Sequence, residues 1–146
     1  MTLTRRRVAI AAAVVAFLAV SAVVARWLQA DNAERAKVER LLQAQGRGDA
    51  AAMAREIDDC GRACRTGVER LATRLSRPGE LEIVRYDSQT AHALGSAAGA
   101  TRVVWQLPGT LPTVQCVEVR RTGNALTGPG VTLRSLSAPI GREASC

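Results

Sequence analysis

The only histidine of the chain, His92, is the residue on which hydrolytic chemistry would depend. Nucleophilic hydrolysis needs a nucleophile, a base and a group that orients the base, and here Asp87 precedes His92 by five residues. The Gly-x-Ser-x-Gly motif of serine hydrolases is absent, because the segment 95–99 has a different spacing and predicts a loop. A single imidazole also excludes mechanisms that use two. The sequence therefore indicates no catalytic residues.

Two acidic pairs could supply the acid and base of glycoside hydrolysis, Asp58 with Asp59 and Glu80 with Glu82. The first pair is better explained as a helix cap or break, and the second as the solvent face of a strand. No Gly-x4-Gly-Lys-Ser/Thr loop for phosphate is present, and the only lysine lies in a predicted helix. We therefore expect no cofactor.

The four cysteines, Cys60, Cys64, Cys116 and Cys146, are an even number and predict two disulfides in an oxidising compartment. On a regular helix the Cβ atoms of residues 60 and 64 would lie about 5–6 Å apart, against about 3.8 Å in a disulfide. A direct bridge therefore requires a distorted turn, which Gly61 permits. We favour Cys60–Cys64 with Cys116–Cys146, and crossed pairings remain as alternatives.

Neither the paired spacings of zinc modules nor the Cys-x2-Cys motif of thioredoxin-like redox centres occurs among these cysteines. We therefore expect structural disulfides, with no metal site and no redox chemistry.

An apolar run at residues 8–25 follows three arginines at positions 5–7. Its 18 residues would form about 27 Å of helix, close to the hydrocarbon thickness of a bilayer. Only Arg26 follows before the first acidic residue, so the positive-inside rule keeps the N-terminus in the cytoplasm and exports the rest. Trp27 suits the outer membrane–water interface. The sequence predicts a single-pass protein of the cell membrane with its C-terminal domain outside the cytoplasm.

A cleaved signal peptide is the competing interpretation of this segment, whereas a buried core helix fits its charged flanks less well. Small residues allow cleavage near Ala22 or Ala25, which would yield a secreted protein, although signal peptides usually have only about 7–15 apolar residues. With an uncleaved anchor, the predicted parts are a cytoplasmic basic flank (1–7), a transmembrane anchor (8–26), an extracytoplasmic domain (27–137) and a C-terminal tail (138–146).

The positive charge of the chain largely reflects this topology. The net charge is +7, and the arginines at 5, 6, 7 and 26 account for four of these charges. Residues 31–146 carry 16 basic and 13 acidic groups, a net charge of +3. Arg102, Arg120 and Arg121 could form a small cationic patch on a sheet edge, but a solvated strand face with edge protection is the simpler explanation. We expect no nucleic-acid binding.

Helical spacing marks the first part of the predicted domain. Asp31 is predicted to be the N-cap of the first helix of the domain, with the Glu34 side chain accepting a hydrogen bond from the backbone N–H of Asp31. Asp49 predicts the cap of a second helical region, 49–76, which is one long helix or two nearly collinear helices broken near residues 58–59.

Beyond residue 79 the apolar residues alternate with a period of two, which predicts strands over 80–87, 102–107, 113–121 and 131–136. Gly123-Asn124 predicts a hairpin turn, and one face of the second strand carries Val103, Trp105 and Leu107. Helices followed by a strand meander predict an α+β fold. In it, an N-terminal transmembrane helix precedes two or three helices packed on a curved antiparallel sheet of four or more strands.

Residues 31–137 thus contain a helix ending in Gly48-Asp49-Ala50, a second helix, and a meander whose third strand ends in Val-Glu-Val-Arg-Arg-Thr-Gly at 117–123. In this order of elements the chain resembles the nuclear-transport-factor-like (cystatin-like) domains. In bacteria such domains are often exported behind a single N-terminal helix, so the resemblance implies an exported, membrane-anchored protein. The superfamily includes enzymes, ligand carriers and assembly modules, so the resemblance implies no activity.

The function we expect is a membrane-tethered, non-catalytic binding or assembly module with a protein partner in the cell envelope. The alternative is a small-ligand carrier or enzyme whose pocket is lined by Tyr86, His92 and Trp105. An enclosed polar pocket would favour the carrier, and a filled core would favour the module.

Overall fold

The computed structural model describes residues 2–90, 96–123 and 130–146. Within these residues, three helices precede a curved, unclosed, four-stranded antiparallel sheet, which confirms the predicted α+β class. The strands follow one another in the order β1-β2-β3-β4. The elements are α1 (Thr2–Gly46), α2 (Ala50–Glu56), α3 (Arg62–Leu75), β1 (Glu82–Ser88), β2 (Ala97–Gln106), β3 (Thr113–Thr122) and β4 (Gly130–Leu136).

Helix α1 is continuous over 45 residues, which corresponds to about 67 Å at the usual helical rise. Apolar side chains in its N-terminal part are exposed, as at Phe17, which is 70% exposed. In the described part of the chain this is the helix that is long and apolar enough to cross a membrane. Further along the same helix Val38, Leu41 and Leu42 are completely buried. The side chain of Trp27 lies outside the described residues.

The predicted helix start at Asp31 is wrong, because α1 runs through it from the apolar segment without a break. The backbone N–H groups that an N-cap would bind are already hydrogen-bonded within the helix. The carboxylates of Asp31 and Glu34 are therefore available for other partners.

The region 49–76 contains two helices, and the chain between them includes the predicted break near residues 58–59. Asp49 caps α2, as predicted, and its carboxylate accepts a hydrogen bond from the backbone N–H of Ala52 at 2.8 Å. The chain then leaves helical geometry at Ile57, and Asp59 has a φ of +51°. The N–H of Asp58 donates to the carbonyl of Leu133 at 2.8 Å. The break between α2 and α3 therefore places a short extended segment against β4.

The helices cover one face of the sheet, and the predicted row Val103, Trp105 and Leu107 is at most 2% exposed. Strand β2 begins at Ala97, five residues earlier than predicted, so the expected loop at 95–99 is wrong for Ala97–Gly99. Small residues carry little β signal in a sequence. Gly99 pairs with Val119, and a Cβ at Gly99 would lie 2.6 Å from the Cα of Thr90. Glycine thus lets the chain that leaves β1 pass directly over β2.

Disulfides join Cys60 to Cys64 and Cys116 to Cys146, with Cα–Cα distances of 5.2 and 5.8 Å. This is the pairing that the sequence favours. The C-terminal residues also bind the sheet through their backbone, because the N–H of Ile140 donates to the carbonyl of Val114 at 2.8 Å. The Arg102 guanidinium donates to two further carbonyls of this segment. A disulfide and several hydrogen bonds together hold the last ten residues on the sheet.

Candidate functional site

A buried cluster of polar side chains joins α1 to the sheet. We call it the Glu34 cluster, and it comprises Glu34, Tyr86, Thr101, Arg121, Asp31 and Ser88. Glu34 is 0% exposed. Its Oε1 accepts hydrogen bonds from the hydroxyls of Tyr86 at 2.8 Å and Thr101 at 2.6 Å. Its Oε2 lies 2.8 Å from Nε and 2.7 Å from Nη2 of Arg121.

The cluster continues the apolar rows of the core in the direction of the apolar part of α1. Glu34 precedes the buried Val38 by four residues, so both occupy one face of α1. On β3, Arg121 follows the buried Val119 by two residues, and side chains two apart in a strand lie on the same face. Thr101 holds the equivalent position before Val103 on β2. Ordinary helix and strand periodicity therefore brings these polar groups together.

Two further charged groups complete the surroundings of the buried pair. Nη2 of Arg121 also lies 2.7 Å from a carboxylate oxygen of Asp31, which is three residues before Glu34 on the same helix face. Arg35 places its guanidinium 5.8 Å from the ring centroid of Tyr86, within the range of a cation–π contact. Contacts with the sheet therefore hold α1 through Asp31, Glu34 and Arg35, which lie within little more than one helical turn.

The contacts of Glu34 keep it ionised. Burial by itself raises the pKa of this carboxyl, but the hydrogen bonds from Thr101, Tyr86 and Arg121 outweigh burial and hold the pKa below its ordinary value. Burial and the adjacent Glu34 carboxylate both raise the pKa of the Tyr86 hydroxyl. Burial lowers the pKa of Arg121, and the Glu34 carboxylate more than restores it. At neutral pH Glu34 is thus a carboxylate, Arg121 a guanidinium cation and Tyr86 a neutral phenol.

An ionised carboxylate has about four positions for hydrogen-bond donors. On Glu34 these positions are taken by Tyr86, Thr101 and two nitrogens of Arg121. A general base needs to reach the proton that it removes from a substrate, and Glu34 would first have to give up one of these donors. The arrangement is suited to fixing the position of α1 on the sheet.

A second buried polar network lies near the other end of the buried part of α1. The side-chain amide of Gln45 donates to Oε1 of Gln115 at 3.0 Å, and the indole N–H of Trp105 donates to the same oxygen at 2.7 Å. Gln115 in turn donates to the carbonyl of Ser137 at 2.9 Å. Gln45 and Glu34 thus attach α1 to the sheet at two positions eleven residues apart.

Two residues of the predicted pocket, Tyr86 and Trp105, lie in different polar networks. Trp105 is 2% exposed and uses its N–H in the Gln115 network, whereas the Tyr86 hydroxyl belongs to the Glu34 cluster. His92 lies outside the described residues. A pocket shared by these three residues stays a prediction.

Arg102, Arg120 and Arg121 do not form the cationic patch that the sequence left as the lesser alternative, and the preferred solvated strand face is wrong for Arg121. Neighbouring residues of a strand point to opposite faces, so Arg120 is exposed while Arg121 is buried beside Glu34. Arg102 binds the C-terminal segment. The period-two pattern of β3 already contained a signal for Arg121, because it shares a face with Val117 and Val119. The interpretation of Glu34 as part of a helix cap meant that it was not considered as an ion-pair partner for Arg121.

Among the described residues, no group of three or more His, Cys, Asp or Glu side chains could hold a metal ion. Comparisons of the chain with protein-family models, with curated proteins and with solved structures find no match.

Proposed function

We propose that this chain is a single-span membrane protein, with its N-terminus in the cytoplasm, whose exported domain is a non-catalytic binding or assembly module. The observation that supports this proposal is the continuity of α1, in which an exposed apolar part passes without a break into the central helix of the domain. An inserted span would hold the domain rigidly above the bilayer. Two disulfides are compatible with an oxidising compartment.

The geometry of α1 gives the height of the domain in this proposal. From Ala25, at the end of the apolar run, to Glu34 there are nine residues, or about 14 Å of helix. The Glu34 cluster would lie just above the outer membrane–water interface. This rigid attachment fits a module that presents a binding surface at a fixed height above the membrane and in a fixed orientation. The parts of the chain remain those predicted, with 8–26 as the anchor, 27–137 as the exported domain and 138–146 as the tail.

The interior contacts favour a module over a carrier. The polar atoms of Tyr86, Thr101 and Trp105 that a ligand would address are used by Glu34 and Gln115. A ligand in this region would have to compete with buried intramolecular hydrogen bonds. Membership of the nuclear-transport-factor-like superfamily, whose helices cover one face of a curved sheet, is part of the same proposal.

Reporter fusions test the topology. A phosphatase that is active only outside the cytoplasm should be active when fused after Cys146, whereas a reporter that requires the cytoplasm should be inactive there. The reverse result would contradict the proposal. For the non-catalytic role, the full chain in lipid nanodiscs should show no turnover in a broad hydrolase screen, and turnover that His92→Ala abolishes would contradict it.

A further inference from the structure

Helix α3, the end of β4 and the residues that follow β4 line an apolar groove of about 300 Å³, which we call the α3 groove. Residues of α3 at positions 67, 70, 71, 74 and 75 form one side, and Leu136, Ala138 and Pro139 form the other. The α3 positions recur at helical spacing, so they form a stripe next to the buried stripe that contains Val68 and Ala72. The groove is a feature of the outer side of α3, separate from the Glu34 cluster.

Gly67 keeps one end of this groove open. It lies inside α3, where glycine costs about 1 kcal/mol relative to alanine. A Cβ added at Gly67 would meet no atom within 4 Å. Packing within the described residues therefore does not require glycine, and the space beside it is free for a side chain of another molecule.

The charge of the domain is concentrated on the same helix. Helix α3 carries four arginines and one glutamate, a net charge of +3, which equals the net charge of residues 31–146. Within the described part of the chain, neither Arg70 nor Arg74 forms an ion pair or a side-chain hydrogen bond. Both line the apolar groove. The charge that complements this site is negative.

The position of α3 argues against a lipid as the source of that charge. The end of α3 lies beside the end of α1, since the N–H of Arg77 donates to the carbonyl of Gly46 at 3.1 Å. Gly46 follows Ala25 by 21 residues, or about 31 Å along the helix axis. Electrostatic attraction falls off over about 8 Å at physiological salt. In the proposed topology, anionic headgroups are therefore out of reach of Arg74.

We propose that the α3 groove binds an acidic amphipathic segment of a partner protein. Its apolar side chains would contact Leu71, Leu75 and Leu136, and its carboxylates would face Arg70 and Arg74. The volume is at the lower end of the range for ligand sites, which suits a few anchoring side chains of a helix laid in a groove. The inference depends on the proposed function for the envelope as the location of the partner and for the topology that keeps lipid headgroups away from α3.

The test uses the full chain in phosphatidylcholine nanodiscs, because detergent would compete for an apolar groove. The probes are two fluorescein-labelled peptides with leucines at i, i+3, i+4 and i+7, one with glutamates and one with lysines at the remaining positions. Fluorescence anisotropy should show binding of the glutamate peptide and none of the lysine peptide, with empty nanodiscs as the control. Absence of binding by the glutamate peptide would overturn the proposal.

Matched variants locate the binding. The double variant Arg70→Glu with Arg74→Glu should weaken binding of the glutamate peptide about tenfold or more, because two attractive charge pairs become repulsive. The double variant Arg62→Glu with Arg65→Glu changes the net charge by the same amount at positions outside the groove. It should weaken binding of the glutamate peptide less than about threefold. Gly67→Leu should fill the groove and abolish binding without lowering the unfolding temperature. Equal loss in both charge variants would show unspecific attraction to a basic helix and overturn the proposal.

A laurate titration distinguishes a small amphiphile from a peptide. Laurate binding that Gly67→Leu abolishes, with no binding of either peptide, would overturn the peptide proposal. The reporter fusions are independent of these measurements. A groove that binds no peptide in a correctly exported chain therefore contradicts this inference alone, and a C-terminus in the cytoplasm contradicts the proposed function alone.

Discussion

Glu34 and Arg121, which are 87 residues apart in the chain, form a buried ion pair with a shortest N–O distance of 2.7 Å. The pair connects the helix that carries the candidate membrane span to the third strand of the sheet. Buried ion pairs contribute little net stability compared with well-packed apolar residues, because desolvation opposes the attraction. The pair also has a geometric consequence. Glu34 can accept hydrogen bonds from all its donors on the sheet at only one rotation of α1 about its axis and one position along that axis. We infer that the cluster fixes the orientation of the sheet relative to α1 and its apolar N-terminal part.

Glu34→Gln should destabilise the domain by about 3–5 kcal/mol, since removing one partner leaves the other charge buried and incompletely compensated. Glu39→Gln, on the exposed side of the same helix, is the matched control and should change stability by less than about 0.5 kcal/mol. Urea unfolding of both variants in nanodiscs provides the comparison. Equal effects would contradict the structural role of the cluster.

The stability of the domain should depend on the ionisation of Glu34. Its pKa in the folded chain is lower than the value of 4.5 expected without these contacts, so the unfolded state binds the proton more readily. The stabilisation is therefore fully present above about pH 4.5 and is lost as the pH falls through the folded pKa. Unfolding free energies measured between about pH 3 and pH 7 should fall more steeply at the acid end in the wild type than in Glu34→Gln. Parallel curves would contradict this assignment.

Cys146→Ser should lower the free energy of unfolding under oxidising conditions by roughly 3–4 kcal/mol, because the Cys116–Cys146 bridge closes a loop of 30 residues. Cys64→Ser opens a loop of only four residues and should lower it by about 2 kcal/mol. Thermal unfolding compares the two variants. Peptide mapping of the wild type should find Cys146 linked to Cys116, and a link to Cys60 or Cys64 would contradict the pairing.

Two glycine-to-alanine substitutions should have opposite effects. Gly99→Ala should destabilise the domain by about 1–3 kcal/mol, because the new Cβ would lie 2.6 Å from the Cα of Thr90, a backbone atom that cannot move independently. Gly67→Ala should stabilise it by up to about 1 kcal/mol, because the helix favours alanine and the added Cβ meets no atom within 4 Å. Differential scanning calorimetry of both variants in nanodiscs should show the two shifts. A Gly99→Ala variant that unfolds at or above the wild-type temperature would contradict the close approach at Gly99, and a Gly67→Ala variant that unfolds at a lower temperature would contradict the open space at Gly67.

The order and type of the elements could be predicted because periodicity and local signals agree there. Asp49 is followed by a helix that it caps, and Val103, Trp105 and Leu107 alternate as a buried row. The absence of a helix boundary at Asp31 could not be predicted, because a cap-like pattern also fits the middle of a helix. Local signals did not show that the apolar run continues into the domain.

The Glu34 cluster depends on contacts between distant parts of the chain, and for this reason the sequence pattern missed it. Glu34 lies 67 residues from Thr101 and 87 from Arg121. Burial of a glutamate is unfavourable unless other groups pair with its charge. Because these partners are distant in the sequence, a capping role was the natural expectation for Glu34. The polar residue Arg121 at a core-facing strand position was the available signal, and it has meaning only once α1 is placed across the sheet.

The central claim is that one uncleaved helix connects a membrane span to an exported, disulfide-bonded domain. The most direct test is the intact mass of the protein extracted from cell membranes without reductant, with free thiols blocked during extraction. The predicted result is the full chain from Met1 or Thr2, lighter by the four hydrogens lost on forming two disulfides and carrying no blocking group. A chain that begins near Val23 or Arg26, or one with four blocked thiols, would contradict the claim.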